Sequence, residues 1–268
     1  MIDNPVIVFD FGLGSLSIIR ELKKEIPHEN LLYFAERTHF QYRNLTHNQL
    51  HELILKTIKH LERYKPKLII IASNTPSVQA LEEIKKEVSG VSIIGFKHPL
   101  KEASRLTKKK HIGIMAIGET IRSKELEDQI KKEVPQDILI TRFNASPIIN
   151  LIENGTYIIN EQKTLEIISN VLGCHDELGK KIDVITLSSA HLPFVKRYLT
   201  YLLPTVRFVD PAQIVARDVR KFLGFNRILK KTGRSKVQIL VSNDKKQFEE
   251  AIHKMGIREP VQEAFFNF

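Results

Sequence analysis

Two serines stand at chain positions where side chains commonly do chemistry. Ser73 follows the apolar run of residues 68–72, and Ser189 follows the apolar run of residues 184–187. Each serine is followed within four residues by a proline. A strand-length apolar run that breaks into small polar residues and then proline predicts a strand, a turn and the first turn of a helix. Because open α/β sheets bind ligands at such turns, both hydroxyl groups are candidates for one site.

Acid and base side chains lie at similar breaks. Asp10, Glu36, Glu153 and His191 are all at or just after the end of a predicted strand or helix. Acids at such positions often only cap helices, and a histidine there often only packs or caps. Removing a proton from one face of a small molecule and returning it to the other requires two acid/base groups on opposite sides of a pocket. Asp10 and His191 are the candidates for that pair.

The elements that must position these residues occur twice. Residues 5–14 and 111–120 are both apolar runs that break into a glycine-containing turn, and residues 68–76 are repeated by residues 184–193 in the same order. Short apolar runs alternate with helical periods along the chain. We therefore predict an α/β fold with two pseudo-symmetric lobes. Each lobe is a mostly parallel sheet flanked by helices, with an active cleft between them.

The expected boundaries follow from this repeat. The first lobe takes residues 1–98 together with a returning C-terminal tail, residues 211–268, because the tail contains a further predicted strand at residues 237–241. The second lobe takes residues 99–210. In this arrangement Ser73 and Ser189 face each other across the cleft.

A glycine-containing loop offers a weaker alternative. Residues 12–17 resemble a phosphate-cradling turn, and Glu36 lies 24 residues beyond Gly12, near the place of a ribose-binding acid. The third glycine of that pattern is missing, and Asp10 would put a carboxylate beside the pyrophosphate. Dinucleotide binding is therefore disfavoured.

Metal and thiol chemistry have little support in the sequence. His47 and His51 have a metal-ligand spacing on a predicted helix, with Glu52 adjacent, but a third ligand is not identifiable. A surface or interface helix is favoured, and no metal site is predicted. Cys174, the only cysteine, lies near a helix end and is interpreted as a chance thiol.

The composition of the chain limits the classes of protein to which it can belong. The 268 residues are 42% hydrophobic and 27% charged, which is ordinary for a globular protein, and no apolar run approaches the roughly 20 residues of a membrane span. One cysteine excludes an internal disulfide, and no signal peptide is visible, so a cytoplasmic location is expected. The net charge is +10, but the lysine pairs are spread along the chain. We therefore expect no membrane partner and disfavour a nucleic-acid partner.

Several ordered motifs resemble the glutamate racemases of the aspartate/glutamate racemase superfamily. The family patterns are Phe-Asp-Ser-Gly-Val-Gly-Gly-Leu-Ser, Tyr-Phe-Gly-Asp, Pro-Tyr-Gly, Ala-Cys-Asn-Thr, Val-Glu-x-Gly and Leu-Gly-Cys-Thr-His-Tyr-Pro. In chain order, the segments of this sequence that resemble them are residues 9–17, 33–36, 41–44, 72–75, 152–155 and 187–193. The resemblance covers nearly the whole chain.

The resemblance implies two α/β lobes, no cofactor, and inversion of the glutamate α-carbon by two facing cysteines. Ser73 and Ser189 fall on those cysteine positions, and Asp10, Glu153 and His191 fall on residues that assist them. A thiol has an ordinary pKa near 8.5 and can be ionised at neutral pH, whereas a serine hydroxyl is practically never ionised beforehand. We therefore expect glutamate racemisation to be weak or absent.

The predicted binding residues combine matches and departures. Asn74, Thr75 and Tyr42 match polar groups of the family, while Phe11 and Ala190 stand where the family has serine and threonine. Arg43 replaces a glycine and could clamp a carboxylate, although a solvent-facing arginine is an equally weighted alternative. A small amino acid or dicarboxylate, glutamate by resemblance, is the expected ligand.

Two other functions stay open at this point. One is a non-catalytic binding or regulatory module. The other is a different isomerase or lyase that uses Asp10, Glu153 or His191 as its base. A homodimer is an open alternative for the oligomeric state.

Overall fold

A computed structural model describes residues 2–39, 45–73 and 81–264 of the chain. In chain order its elements are β1 (Val6–Asp10), α1 (Leu16–Glu25), β2 (Leu31–Ala35), α2 (His47–Leu61), β3 (Leu68–Ile71), α3 (Leu81–Glu87), β4 (Ile93–Gly95), α4 (Leu100–Leu106), β5 (His111–Ala116), α5 (Gly118–Ile121), α6 (Lys124–Glu133), β6 (Leu139–Asn144), α7 (Ser146–Glu153), α8 (Thr156–Ile159), α9 (Glu161–Leu172), α10 (His175–Lys181), β7 (Val184–Leu187), α11 (Lys196–Leu202), β8 (Arg207–Val209), α12 (Pro211–Phe225), β9 (Val237–Val241), α13 (Lys245–Lys254) and β10 (Val261–Glu263). Two 3₁₀ turns, Glu62–Tyr64 and Leu192–Val195, follow α2 and precede α11.

The chain divides into two compact units. Unit 1 consists of residues 1–96 and 212–268, and unit 2 consists of residues 97–211. In the described ranges each unit contains one sheet, and all of the strand pairs in both sheets are parallel.

The strand order of the second sheet repeats that of four strands in the first. In unit 1 the order is β10-β9-β2-β1-β3-β4, and in unit 2 it is β6-β5-β7-β8. The order β2-β1-β3-β4 in the first sheet therefore corresponds to β6-β5-β7-β8 in the second. In each sheet the earliest strand of the four, β1 or β5, lies between the next two strands in the chain. This confirms the predicted pair of mostly parallel α/β lobes. β9 and β10 are the addition that the C-terminal tail makes to the first sheet.

Complete burial explains why the central strands are apolar throughout. Every residue of β1, β2 and β3 is buried, since helices cover both faces of a parallel sheet. On one face, Ile7, Phe9 and Ile71 pack in a core cluster with Ile54 and Ile58 of α2. The apolar side chains of α2 recur at helical spacing, which is why one stripe of this helix faces the sheet.

A capping box fixes the beginning of α2. The Thr46 side chain accepts a hydrogen bond from the Gln49 backbone, and the Gln49 side chain accepts one from the Thr46 backbone N–H. Within the described ranges, no helix has the length and apolar character that crossing a bilayer requires.

Candidate functional site

In unit 1, the side chain of Asp10 collects hydrogen-bond donors at the carboxyl end of β1. The hydroxyl group of Ser73 donates to Oδ1, which also accepts from the backbone N–H of Phe11 at 2.8 Å. Oδ2 accepts from the backbone N–H and the hydroxyl group of Ser15, at 3.1 and 2.6 Å, and lies 3.4 Å from the hydroxyl oxygen of Tyr33. Asp10, Ser15, Ser73 and Tyr33 are all buried. The carboxylate is therefore a buried hub that orients the Ser73 hydroxyl.

Strand pairing places Ser73 beside Asp10. β1 and β3 are neighbours in the sheet, and the backbone N–H of Ala72 extends their pairing by donating to Phe9 O at 2.9 Å. Ser73 is the next residue, so its side chain reaches the edge of the sheet where β1 ends in Asp10. Parallel strands bring their carboxyl ends to one edge, which is why two residues 63 positions apart meet here.

The glycine-containing loop after β1 donates hydrogen bonds to this carboxylate. The backbone N–H groups of Phe11 and Ser15, which a phosphate-binding loop would offer to its ligand, donate to Asp10 instead. The Tyr33 hydroxyl donates to Gly12 O at 2.7 Å. The geometry of the loop thus agrees with the argument from sequence against a dinucleotide site.

In unit 2, a serine, a histidine and a carboxylate form a chain of polar contacts. Nε2 of His191 lies 2.5 Å from Oε1 of Glu153, and Nδ1 lies 3.4 Å from Oγ of Ser189. The backbone N–H of His191 also lies 3.4 Å from Ser189 Oγ. The serine is buried, whereas the side chains of His191 and Glu153 are 18% and 22% exposed. In a neutral imidazole the carboxylate holds the proton on Nε2, so Nδ1 is left to accept from the Ser189 hydroxyl.

The ends of two elements position the histidine and the carboxylate. Glu153 is the last residue of α7, and the chain turns immediately afterwards at Gly155, which has a left-handed φ of 73°. Asn154 supports this turn by accepting from the Thr156 backbone N–H at 2.9 Å. His191 lies directly before the 3₁₀ turn Leu192–Val195, whose second residue is proline.

Ser189 occupies the same backbone position in unit 2 as Ser73 does in unit 1. The backbone N–H of Ser188 donates to Met115 O at 2.8 Å, as that of Ala72 donates to Phe9 O. The side chain of Ser188 points elsewhere, because its hydroxyl oxygen lies 2.8 Å from Thr186 Oγ1 in the buried interior.

Unit 2 has no carboxylate in the place of Asp10. Ala116 ends β5 as Asp10 ends β1, and the residues after the neighbouring strands, Ala145 and Glu36, donate their N–H groups to Ala116 O and Asp10 O at 2.7 and 2.8 Å. The sequence suggested Asp10 as a helper for Ser73 and His191 as a helper for Ser189, and the structure has these two contacts.

The predicted binding residues have different outcomes. Phe11 is buried in the core cluster of unit 1 with its ring centroid 5.3 Å from that of Phe9, and Ala190 is buried next to Ser189. A ligand contact by either of them stays a prediction. The other predicted binding residues lie outside the described residues: Tyr42, Arg43, Asn74 and Thr75.

Ser15 and Tyr33 are the site residues that the sequence did not single out by their chemistry. Their side chains complete the surroundings of Asp10. The signal for Tyr33 was a hydroxyl-bearing aromatic residue inside a fully apolar strand, since a buried tyrosine usually finds a hydrogen-bond partner. Ser15 had the weaker signal of being a capping residue type directly before α1.

Glu36 is tied into a local turn. Its buried carboxylate accepts from the Thr38 and His39 backbone N–H groups at 3.1 and 2.8 Å, and the hydroxyl group of Ser242 donates to it at 2.9 Å. Because Ser242 follows β9, this carboxylate links the end of β2 to the C-terminal tail.

The histidine pair on α2 makes contacts with a neighbouring helix. His47 and His51 lie 3.7 and 3.1 Å from the carboxylates of Glu83 and Glu87 on α3. Among the described residues, no group of three or more histidine, cysteine, aspartate or glutamate side chains is placed to hold a metal ion. Cys174 is exposed and directly precedes the first residue of α10.

Comparison with known proteins gives one consistent result. The family profile described as Asp/Glu/Hydantoin racemase matches residues 33–219. A glutamate racemase of Shewanella denitrificans is 27% identical over 227 residues, which cover 82% of this chain and 78% of the relative. A glutamate racemase of Caldanaerobacter subterraneus is 28% identical over 249 residues, which cover 92% of this chain and 88% of the relative.

Solved structures share the fold. The glutamate racemase of Thermus thermophilus in complex with β-chloro-D-alanine has a TM-score of 0.81 at 24% identity and covers 98% of both chains. The glutamate racemase of Francisella tularensis in complex with D-glutamate has a TM-score of 0.77 at 20% identity and covers 98% of this chain and 97% of that chain.

Proposed function

Because the chain belongs to the Asp/Glu/Hydantoin racemase family, we propose that it binds a small amino acid or dicarboxylate while its two-base inversion at Cα is weak or absent. Glutamate is the first candidate ligand, since the related structures include one that holds D-glutamate. The observation that carries the proposal is the pair of serines, Ser73 and Ser189, at the positions that resemble the two catalytic cysteines of the family.

The surroundings of Ser73 support the loss of its function as a base. Its hydroxyl group donates to Asp10, so the proton that a base must give up is held in a hydrogen bond to a carboxylate. A carboxylate with an ordinary pKa near 4 is far too weak a base to ionise a serine hydroxyl. A thiol in the same place, with an ordinary pKa near 8.5, could be ionised and could take a proton from Cα.

Ligand binding does not depend on these pKa values. The hydroxyl group of serine still donates and accepts hydrogen bonds, so a pocket that has lost both thiols can keep its polar contacts with an amino acid. We therefore expect L- or D-glutamate to raise the melting temperature of the protein by mass action. Aspartate and glutarate are the comparison ligands, because they change the chain length and remove the amino group.

The decisive assay follows α-proton exchange of L- and D-glutamate in deuterated water by NMR. We expect thermal stabilisation by at least one ligand together with no exchange above that of a protein-free sample. Exchange at a rate typical of enzymes, with a kcat of about 1 s⁻¹ or more, would refute the loss of racemisation. Absence of stabilisation by every ligand would refute the binding function.

A double substitution, Ser73→Cys with Ser189→Cys, tests whether only the thiols are missing. We expect exchange to appear in the double variant and to be much slower in either single variant, because inversion needs a base on each face of Cα. Ser188→Cys is the matched control, since it adds a thiol one residue away whose neighbour in the structure is Thr186. Exchange in the control as well would show that position is unimportant and would contradict the proposal.

A second function is favoured by the Ser189, His191 and Glu153 chain. An imidazole held between a carboxylate and a hydroxyl group is a general-base arrangement, and it would suit a different isomerase or lyase reaction. In that case, turnover of an amino acid substrate is abolished by His191→Ala and largely kept in Ser73→Ala. Equal loss in both variants would exclude a reaction that depends on His191 alone.

A further inference from the structure

One short segment holds most of the excess positive charge of the chain. We call residues 217–236 the basic segment, because they contain eight arginine or lysine residues and one acidic residue, Asp218. Its net charge of +7 compares with +10 for the whole chain. The eight basic residues are Arg217, Arg220, Lys221, Arg227, Lys230, Lys231, Arg234 and Lys236. In the sequence, this segment does not include the scattered lysine pairs that suggested an ordinary solvated surface.

The basic segment lies near the amino end of β2, whereas Asp10 lies at the carboxyl end of the neighbouring strand β1. The segment comprises the second half of α12 and the connection to β9, and it is fixed where β2 begins. The backbone N–H of Leu31 donates to Lys236 O at 2.8 Å, and Nδ1 of His28 lies 2.8 Å from Gly233 O. Asp10 ends β1, whereas Leu31 begins the neighbouring parallel strand. The positive charge is therefore not placed to attract a ligand to the Asp10 site.

A buried carboxylate holds the backbone of the segment in place. Glu29 accepts a hydrogen bond from the backbone N–H of Lys230 at 2.6 Å and forms an ion pair with Lys67 at 2.8 Å. Nζ of Lys67 also donates to Ile228 O at 2.7 Å. The negative charge of Glu29 is thus used by Lys67 and by a backbone group, and the side chain of Lys230 remains directed outward as an exposed residue.

Among the described residues, the side chains of most cations in the segment form no ion pair. Arg220 and Lys221 lie 3.4 and 3.9 Å from the carboxylates of Glu25 and Asp218. Within the part of the chain that the structure describes, no carboxylate lies within ion-pair distance of the remaining six cations. Those six are Arg217, Arg227, Lys230, Lys231, Arg234 and Lys236. All of them are exposed.

Two apolar side chains are exposed within this basic surface. Phe225, the last residue of α12, is 89% exposed, and Ile228 is 39% exposed. The chain turns between them at Arg227, whose φ of 58° is left-handed, and the backbone N–H of Ile228 donates back to Leu223 O at 3.0 Å. This turn places the two apolar residues at one helix end among the cations.

The dipole of α12 does not explain this charge, because the last turn of the helix contains no basic residue. Cations near the end of a helix interact favourably with its dipole, but that effect is limited to the last turn. Lys230, Lys231, Arg234 and Lys236 lie five or more residues beyond the end of α12. The dipole also gives no reason for an almost fully exposed phenylalanine.

We propose that the basic segment is a docking surface for the anionic face of a phospholipid bilayer. Clustered lysine and arginine side chains bind acidic lipid headgroups, and exposed phenylalanine and isoleucine side chains enter the boundary between headgroups and acyl chains. A single-stranded nucleic acid fits less well, because such sites stack successive bases on aromatic rings and isoleucine offers none. This docking is peripheral and independent of the function proposed for the serine sites, and it departs from the sequence-based expectation of no membrane partner.

The test is co-sedimentation of the full chain with large vesicles. The vesicles contain phosphatidylcholine alone or phosphatidylcholine with about one third phosphatidylglycerol, at about 0.1 M salt. We expect binding to the anionic vesicles only, and weaker binding as salt rises. Binding to neither vesicle, or equal binding to both, would overturn the proposal.

Matched charge variants separate a local surface from net charge. The triple variant Arg227→Glu, Lys231→Glu, Arg234→Glu should bind anionic vesicles at least tenfold more weakly. Lys101→Glu, Lys124→Glu, Lys132→Glu makes the same charge change on exposed lysines of unit 2, and we expect its affinity to stay within about twofold. Equal losses in the two triple variants would show that only net charge matters and would refute a docking surface.

Phe225→Ser tests the apolar contribution without changing charge. Because Phe225 is exposed, the variant should fold normally and bind about three- to tenfold more weakly. Unchanged affinity would refute insertion of this side chain. Tighter binding of an oligothymidylate than of the anionic vesicles, lost in the same triple variant, would replace the bilayer with a nucleic acid as the partner.

Discussion

The turns after β3 and β7 hold serines on matching backbones in different surroundings. The strand order and the hydrogen bonds that position Ser73 and Ser189 are the same in the two units. Ser73 donates to a buried carboxylate, whereas Ser189 lies beside an imidazole that a partly exposed carboxylate supports. The repeat has therefore preserved the scaffold of the two sites without preserving their acid/base groups.

This difference gives the two sites different chemistry. Asp10 is surrounded by donors that belong to the protein, so its carboxylate is occupied in holding the loop after β1 together. His191 has a ring nitrogen directed at a hydroxyl group and a carboxylate on its other side. Imidazole is a much stronger base than a carboxylate, so unit 2 carries the better general base.

Asp10→Ala should produce the largest effect, because it removes the acceptor of the buried donors around it. Leaving several buried hydrogen-bonding groups without their carboxylate costs about 3–5 kcal/mol of unfolding free energy. Denaturant unfolding measures the loss, and hydrogen exchange with mass spectrometry assigns it to segments of unit 1.

The matched variant in unit 2 is Glu153→Ala. Since Glu153 and His191 are both partly exposed to water, we expect a loss of about 1 kcal/mol or less. A cost for Glu153→Ala equal to that of Asp10→Ala would contradict the view that only the unit 1 carboxylate is a structural hub.

Acid should reveal a second contrast between the units. Burial lowers the pKa of His98 in unit 2 to about 4, and in unit 1 burial, with a smaller effect of Arg63, lowers the pKa of His60 to about 4. His98 is almost completely buried, whereas His60 is partly exposed and its effect is screened by water.

The sign of the pH effect follows from which state binds the proton. Between pH 6.5 and about 4 the unfolded chain protonates His98 and the folded chain does not, so stability falls as the pH drops through this window. The full effect is about 3 kcal/mol. Calorimetric unfolding at pH 7 and pH 4.5 measures it, and His98→Gln should remove most of the pH dependence of unit 2. An unchanged pH dependence in that variant would show that other groups cause it.

The parts of this structure that could be predicted are those that depend on the sequence of a single short segment. The apolar runs of β1, β3, β5 and β7 and the breaks after them identified the strands, the repeat and the places of Ser73 and Ser189. α10 was not predicted because none of its residues is buried, so it has no apolar period for a pattern to detect. β10 is a three-residue strand with one buried side chain, which is too short for alternation to be visible.

The contacts of Asp10 with Ser73 and of Glu153 with His191 depend on packing between distant segments, whereas His191 is only two residues from Ser189 in the chain. Asp10 and Ser73 are 63 residues apart, and Glu153 and His191 are 38 apart, so only the strand order decides which of these groups meet. The sequence could identify acids and bases at strand ends. It could not show that the hydroxyl groups of Ser15 and Tyr33 contact Oδ2 of Asp10. A serine before a helix and a tyrosine in a strand can each make many other contacts.

The smallest predicted effect concerns the turn that positions Glu153. Gly155 has a left-handed φ of 73°, where a residue with a side chain is strained by about 1 kcal/mol, so Gly155→Ala should destabilise unit 2 by about that amount. Gly224→Ala is the control, because Gly224 is an exposed helical residue and an added Cβ there meets no atom within 4 Å. Since alanine is the better helix former, this control should stabilise unit 1 by up to about 1 kcal/mol. The two urea midpoints should therefore move in opposite directions. A shift of both in the same direction would contradict the strain assigned to a side chain at the left-handed position 155.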